Sequence, residues 1–356
     1  MKKIVMTGGG TAGHVTPNIA LAPRLQKEGY AISYIGSKAG IEKELILAEK
    51  LPYYAISSGK LRRYLSLQNL TDVARVVKGI GQARKLIRQL KPHVIFSKGG
   101  FVSVPVAVAG KLCGVPVIIH ESDMTPGLAN KIAMPFAAKV CASFPETMAY
   151  LPKDKAALTG APIRKSLFLG DRQKGLKLGG FSGHKPVLLV MGGSLGSIRI
   201  NEALRNILDK LLMDFDVLHL CGKGNKDLAI HKPGYTQFEY ISDDLPHVFA
   251  CADLVLSRAG ANAIFELLAL KKPNLLIPLS KNASRGDQIL NASSFEKQGF
   301  SMVLQEEDLT ETALLKALLS LYQNQKQYLE AMAKTPLKDG VSEVTAVIRK
   351  CTKDYQ

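Results

Sequence analysis

The 356-residue chain has no tryptophan, and aromatic residues make up only 6% of it. Basic and aromatic residues are not interleaved either, so the stacking platform for single-stranded nucleic acid is missing. No apolar stretch reaches the roughly 18 residues that mark a membrane span. The N-terminus lacks the layout of a signal peptide, because the short apolar run Ile4–Met6 meets Gly8-Gly9-Gly10 at once. The five cysteines (113, 141, 221, 251 and 351) are odd in number and show no metal-ligand spacing. They read as reduced cytosolic thiols. Hydrophobic residues reach 46%, enough for a sizeable core, and the length suggests two domains. The expectation is a soluble cytosolic two-domain protein.

Acidic residues are also in short supply, 30 against 47 Lys and Arg, for a net charge of +17. The deficit is uneven. Residues 1–163 hold 22 basic and 9 acidic side chains (+13), whereas residues 164–356 hold 25 and 21 (+4). Such asymmetry suggests a polyanionic partner. With nucleic acid disfavoured, an anionic membrane or a phosphorylated substrate remains.

Short β-branched runs alternate with helical patterns. Ile4–Thr7, Ile32–Ile35, Val94–Ser97, Val117–His120 and Val140–Ala142 read as buried parallel strands, with helices near 17–28, 69–90 and 103–113. The pattern restarts with Val187–Met191, Val217–Leu220, Phe238–Ile241, Leu254–Ser257 and Asn274–Ile277, separated by helices near 197–212, 260–270 and 287–298. Between the sets lie Thr159–Arg164 and a Gly- and Lys-rich segment, a boundary that separates domain 1–163 from domain 164–340. The predicted architecture is α/β: two Rossmann-like, doubly wound domains facing each other across a cleft. A last amphipathic run, Val341–Cys351, could pack on either domain.

Each set opens with a strand running into glycine: Thr7-Gly8-Gly9-Gly10-Thr11-Ala12-Gly13-His14 in the first, Met191-Gly192-Gly193-Ser194-Leu195-Gly196-Ser197 in the second. Glycines let the backbone approach a ligand, and the following helix N-terminus offers N–H groups to an anion. A single loop of this kind is as readily a plain βα turn; two at matching places favour phosphate. A third, Lys98-Gly99-Gly100-Phe101-Val102-Ser103, opens another helix. Gly8, Gly10 and Gly13 also satisfy G-x-G-x-x-G, but no carboxylate precedes Glu42 after the second strand, which disfavours NAD and leaves an NADP oxidoreductase as an alternative. His14, beside a helix N-terminus, is a candidate general base, with a structural histidine the bland alternative. His120-Glu121-Ser122-Asp123 closes a strand at the edge where α/β sheets bind ligands. Glu266 lies within a helix following Ser257-Arg258-Ala259-Gly260-Ala261, where a carboxylate could accept both hydroxyls of a ribose. Asp287 and Gln288 open another helix and could bind sugar hydroxyls. Asp214-Phe215-Asp216 matches D-x-D but has no further ligands nearby, so it reads as solvated turn charge, and no metal site is expected.

Taken in order, Thr7–His14, Gly99–Ser103, His120-Glu121, Gly192–Gly196 and Ser257–Ala261 resemble the MurG family, bacterial N-acetylglucosaminyltransferases that convert lipid I to lipid II. The resemblance spans nearly the whole chain. It implies a GT-B fold with an N-terminal acceptor domain, a C-terminal UDP-GlcNAc domain, and a last helix that returns to the first domain. By the same resemblance Glu266 would bind the uridine ribose, Ser194 with Gly193 the diphosphate, and Asp287 and Gln288 the GlcNAc. Arg164 and Ala261 would also lie on the donor side. Gly9, Gly10, Thr11 and Gly13, with Gly99, Gly100 and Phe101, would hold the lipid I diphosphate. His14 would be the base, with His120, Glu121 and Asp123 on the acceptor side. Some members have tyrosine at Phe101 and asparagine at Asp123. The implied reaction inverts the anomeric carbon and needs no cofactor. Rival readings are a GT-B enzyme acting on another lipid such as diacylglycerol, and a catalytically dead scaffold of the cell-wall machinery.

A lipid-linked acceptor requires contact with the cytoplasmic face of the membrane, and other cell-wall synthesis and division proteins are possible partners. Residues 62–91 contain eight basic side chains and one acidic, Asp72. Leu70, Val73, Val77 and Ile80 recur at helical spacing, most simply as the buried stripe of a core helix with a solvated basic face. Leu61, Tyr64, Leu65 and Leu67 are harder to place in a core and suggest peripheral membrane binding.

Overall fold

The computed structural model describes residues 1–59, 68–193, 196–281, 285–335 and 339–352. The expectations placed on Ser194 and on Leu61, Tyr64, Leu65 and Leu67 fall outside them, as does the side chain of Leu70. The chain divides into two units at Arg164 and Lys165, and the terminal helix Gly340–Cys351 belongs to the first.

The first unit holds seven strands: β1 (Lys2–Thr7), β2 (Tyr30–Ser37), β3 (Tyr53–Ile56), β4 (Val94–Ser97), β5 (Val117–Glu121), β6 (Lys139–Ala142) and β7 (Ala156–Leu158). They form one parallel sheet in the order β3-β2-β1-β4-β5-β6-β7. Parallel strands are covered on both faces, so they read as continuous apolar runs. Side chains still alternate between two cores: Ile4 and Met6 of β1 join one, Val5 the other. The terminal helix completes the first core. Val341, Val344 and Ile348, spaced for one helical face, pack with Leu21 and Leu25 of helix Thr16–Lys27. Asp339 caps that helix by accepting from Val341 N at 3.1 Å and Ser342 N at 3.3 Å. Gly340 lies so close to the Ala161 carbonyl that a Cβ there would overlap it.

The second unit holds β8 (Val187–Met191), β9 (Asp216–Leu220), β10 (Tyr235–Phe238), β11 (Leu254–Ser257), β12 (Asn274–Leu276) and β13 (Met302–Val303). Their order is β10-β9-β8-β11-β12-β13, again all parallel. The strand expected at Phe238–Ile241 is thus displaced toward Tyr235, and the helix expected at 197–212 is divided into Ile198–Asn206 and Leu208–Asp214. Both sheets reverse their winding direction at one place, between β1 and β4 in the first and between β8 and β11 in the second. A crevice opens there beyond the carboxyl ends of the strands, the usual ligand site of such sheets.

Candidate active site

In the first unit both glycine loops meet at the β1/β4 reversal. Gly10 has φ +89°, and Gly99 and Gly100 have φ +96° and +82°, a region that favours glycine. Gly100 packs on Gly9, whose carbonyl a Cβ on Gly100 would overlap. Below the first loop, Tyr34 Oη donates to Gly8 O at 2.8 Å, and Asn18 Nδ2 donates to His14 O at 3.2 Å. Thr11 is exposed, and Gly13 and His14 are half-buried. His14 lies on a short 3-10 turn, Ala12–His14, with Nδ1 3.1 Å from Thr11 Oγ1. Phe101 is half-buried beside Gly100.

Glu42 supplies what sequence reading missed here. Its buried carboxylate accepts from Gly10 N at 3.2 Å and Ser37 N at 3.0 Å, tying the glycine loop to the end of β2. One loop amide is therefore taken by the protein's own carboxylate.

His120 and Glu121 end β5, and both are buried. Glu121 is saturated: Oε1 accepts from Ser122 N (2.8 Å) and Asp123 N (3.0 Å), and Oε2 from Gly127 N (2.9 Å) and Asn130 Nδ2 (2.8 Å). It holds the turn 121–127 in place. Asp123 is half-buried on that turn. Lys98, given no role from sequence, is buried next to this group.

In the second unit a pocket of about 570 Å³ opens at the β8/β11 reversal, its walls including Gly193, Arg199, Asn225, Arg258 and Gln288. Gly193 and Gly196 have φ +89° and +77°. The loop leads into helix Ile198–Asn206, whose N-cap Ser197 accepts from Ile200 N at 3.4 Å. The exposed guanidinium of Arg199 adds a full positive charge at the same end. Backbone amides, helix dipole and arginine together suit a diphosphate.

Arg258, also given no role from sequence, is the buried hub of this pocket. It donates to Ser197 Oγ at 2.7 Å, to Ile277 O at 3.2 Å and to Glu306, which itself accepts from Ser280 N at 3.1 Å. Burial alone would raise the Glu306 carboxyl, yet the bonds from Arg258 and Ser280 bring it below its ordinary value. One ion pair thus clamps the glycine loop to the end of β12.

Of the other residues expected on the donor side, Gln288 lines the pocket, whereas Ala261, Glu266, Asp287 and Arg164 are not among its lining residues. Gln288 accepts from Leu279 N at 3.1 Å. Ala261 is buried and Glu266 half-buried on helix Ala261–Ala269, whose Ala263 lines the pocket. Asp287 is held 2.6 Å from Arg285, so its carboxylate already has a cationic partner. Arg164 is half-buried where the chain leaves the first unit for the second. Asp216 is not the solvated turn charge expected: it opens β9, is buried, and has its carboxyl raised by that burial.

Two parallel α/β units, each with a positive-φ glycine loop at the reversal of its sheet, define the GT-B class of fold. Residues 4–142 match the glycosyltransferase family 28 N-terminal domain and residues 187–346 the family 28 C-terminal domain. A UDP-N-acetylglucosamine--N-acetylmuramyl-(pentapeptide) pyrophosphoryl-undecaprenol N-acetylglucosamine transferase of Lachnoclostridium phytofermentans is 59% identical over 351 residues, covering 98% of this chain and 99% of its own. A protein of the same name from Clostridium botulinum is 56% identical over 354 residues, covering 99% and 100%. Acinetobacter baumannii MurG superimposes with a TM-score of 0.76 at 26% identity, covering 98% and 100% of the two chains. The glycosyltransferase of kitacinnamycin shares the fold, with a TM-score of 0.77 at 15% identity. The chain belongs to the MurG family of N-acetylglucosamine transferases.

Proposed function

We propose that this enzyme moves GlcNAc from UDP-GlcNAc to the C4 hydroxyl of MurNAc in undecaprenyl-pyrophosphoryl-MurNAc-pentapeptide (lipid I), forming lipid II and UDP. The observation that carries the reading is a pair of phosphate-type loops at the two sheet reversals, in a chain 59% identical from end to end to transferases of that name. The donor belongs to the second unit. Its diphosphate takes the amides around Gly193 and the charge of Arg199, its ribose Glu266, and its sugar Gln288 and Asp287. The acceptor diphosphate takes the paired loops Gly9–Gly13 and Gly99–Phe101.

A base removes the C4 hydroxyl proton, O4 attacks the anomeric carbon from the opposite face, and the bond to the diphosphate breaks with its electrons leaving on UDP. The product is a β-1,4 linkage. Charge grows on the leaving diphosphate, and preorganised donors aimed at that charge are worth the most to the rate. His14 is the proposed base. Glu121 is unsuited, since four donors already hold its carboxylate.

The acceptor is lipid-linked, so the protein works at a membrane surface, peripherally, on the cytoplasmic side. Among the described residues no helix is long and apolar enough to cross a membrane. Helix Gln68–Leu90 supports the surface reading: Val73 is 52% and Val77 63% exposed, one turn apart, so these two leave the core face expected, whereas Ile80 of the same stripe packs against the core. Exposed Arg75, Lys78, Arg84, Lys85 and Arg88 lie on the same helix.

Turnover decides the function. Purified protein with UDP-GlcNAc and a water-soluble lipid I analogue is expected to release UDP in step with disaccharide, and a 4-deoxy analogue to give neither. Transfer to diacylglycerol without transfer to the lipid I analogue would replace this reading with its nearest rival.

A further inference from the structure

Lys98 follows β4 and opens the second glycine loop, yet it is only 1% exposed. An ammonium at such depth is costly unless its protons are taken up and its charge is countered. Nζ donates to His120 Nδ1 at 2.7 Å and to Ser122 Oγ. On its other side His120 Nε2 lies 3.0 Å from Gly160 O, an acceptor only, so the imidazole carries its hydrogen on Nε2 and offers a lone pair at Nδ1. Burial first, and the Lys98 charge second, hold the His120 pKa well below its ordinary value, which keeps the ring neutral. The countering charges are Glu121 at the end of β5 and Asp123 on the turn that follows. The backbone of Lys98 is tied to the first loop as well, its N donating to Thr7 O at 2.9 Å. One buried side chain therefore joins β4, β5 and the turn that carries Asp123, beneath both glycine loops.

We propose that Lys98 is a positioning residue for the acceptor: its ammonium, by holding His120 and Ser122, sets the turn 121–127 and with it Asp123 at the acceptor site. This rests on reading the first unit as the acceptor side.

Charge strengthens the grip, because an ammonium donates roughly twice as strongly as a neutral amine. Burial pulls the Lys98 pKa from 10.5 down to about 8, while Glu121, Asp123 and the Cys141 thiol on β6 act the other way. Lys98 is thus cationic at neutral pH and gives up its proton as pH passes about 8. Stability responds in the opposite sense. The unfolded chain would hold this proton up to about 10.5 and the folded one only to about 8, so between those values the unfolded state binds more protons and stability gains from rising pH. Loss of acceptor use above pH 8 would therefore not be unfolding at this site.

The test uses the full chain with a soluble lipid I analogue varied at saturating UDP-GlcNAc. Wild type is expected to lose acceptor kcat/KM above its alkaline pKa, about tenfold per pH unit, as for one essential proton. Lys98→Met is expected to start at least about tenfold lower near pH 7 and to show no such limb. Its UDP affinity by calorimetry should match wild type. Lys98→Arg keeps its charge throughout and should recover part of the loss, also without the limb. A wild-type profile flat to about pH 9.5, or a limb that persists in either variant, overturns the proposal. If Lys98→Met does not fold, the wild-type profile and Lys98→Arg still decide. A wild type without turnover at any pH would strike the functional reading instead.

Discussion

Glu121 and His14 show how a residue's neighbours decide what it can do. Four donors converge on the Glu121 carboxylate, so its charge is spent on shaping the turn that follows β5. His14 has its ring at the end of a loop with Thr11 Oγ1 3.1 Å away. The two should therefore fail differently. His14→Ala is expected to lower kcat by roughly 10²–10⁴ with the melting temperature and UDP affinity unchanged, as for loss of a general base. Glu121→Gln should lower stability and turnover together, by about 1.5–3 kcal/mol for each charge-assisted bond weakened. Steady-state kinetics beside thermal melts of both variants separate the cases; a stable, inactive Glu121→Gln would return the base to Glu121. His14 and Glu121 were visible in sequence because each borders a glycine loop or a strand end. Glu42 carried no such mark, and Lys98 and Arg258, although each directly follows a strand, were given no role of their own. Their importance comes from being charged and buried, and the partners that bury them lie far off in the chain, as Glu306 does from Arg258.

The central strands β4, β8 and β11 were legible to the residue because a fully buried parallel strand is an unbroken apolar run ending at a glycine or polar loop. The edge strands β3, β7 and β13 were not. Tyr53–Ile56, Ala156–Leu158 and Met302–Val303 are short and only partly buried, and their strand character comes from a single neighbour in the sheet. The glycine loops were legible as loops, but not the contact between them, which is a property of the strand order that sets β1 beside β4. That contact can be tested. Gly100 combines φ +82° with a backbone packed on the Gly9 carbonyl, so Gly100→Ala must both strain its own backbone and displace the first loop. The strain alone costs about 1–3 kcal/mol. The expected result is a lower melting temperature and a raised KM for the lipid I analogue, with UDP binding intact because the pocket around Gly193 belongs to the other unit. Acceptor KM unchanged in a destabilised variant would separate the loop contact from acceptor binding.

For the molecule as a whole, the distribution of charge is the property that no single element explains. Of the net +17, the first 163 residues carry +13, and the described part of helix Gln68–Leu90 places five exposed cations on the same element as exposed Val73 and Val77. Anionic lipid attracts each nearby Lys or Arg by about 1 kcal/mol, and shallow insertion of an aliphatic side chain adds a term of similar size. The two terms differ in range. Electrostatic attraction shortens from about 10 Å at 0.1 M salt to about 3 Å at 1 M, whereas burial of valine does not weaken with salt. Sedimentation with anionic vesicles across a salt series should therefore show wild type released steeply but incompletely. Val73→Ser with Val77→Ser should reduce binding at every salt concentration, by the order of 1 kcal/mol for each side chain. Replacing Arg84, Lys85 and Arg88 with Gln should instead flatten the salt dependence. Turnover of the water-soluble acceptor should be unchanged in both variants, since none of these residues belongs to the glycine loops or to the turn after β5. Equal binding to neutral and anionic vesicles, indifferent to salt, would leave the helix an ordinary solvated surface and require another means of reaching a lipid-linked substrate.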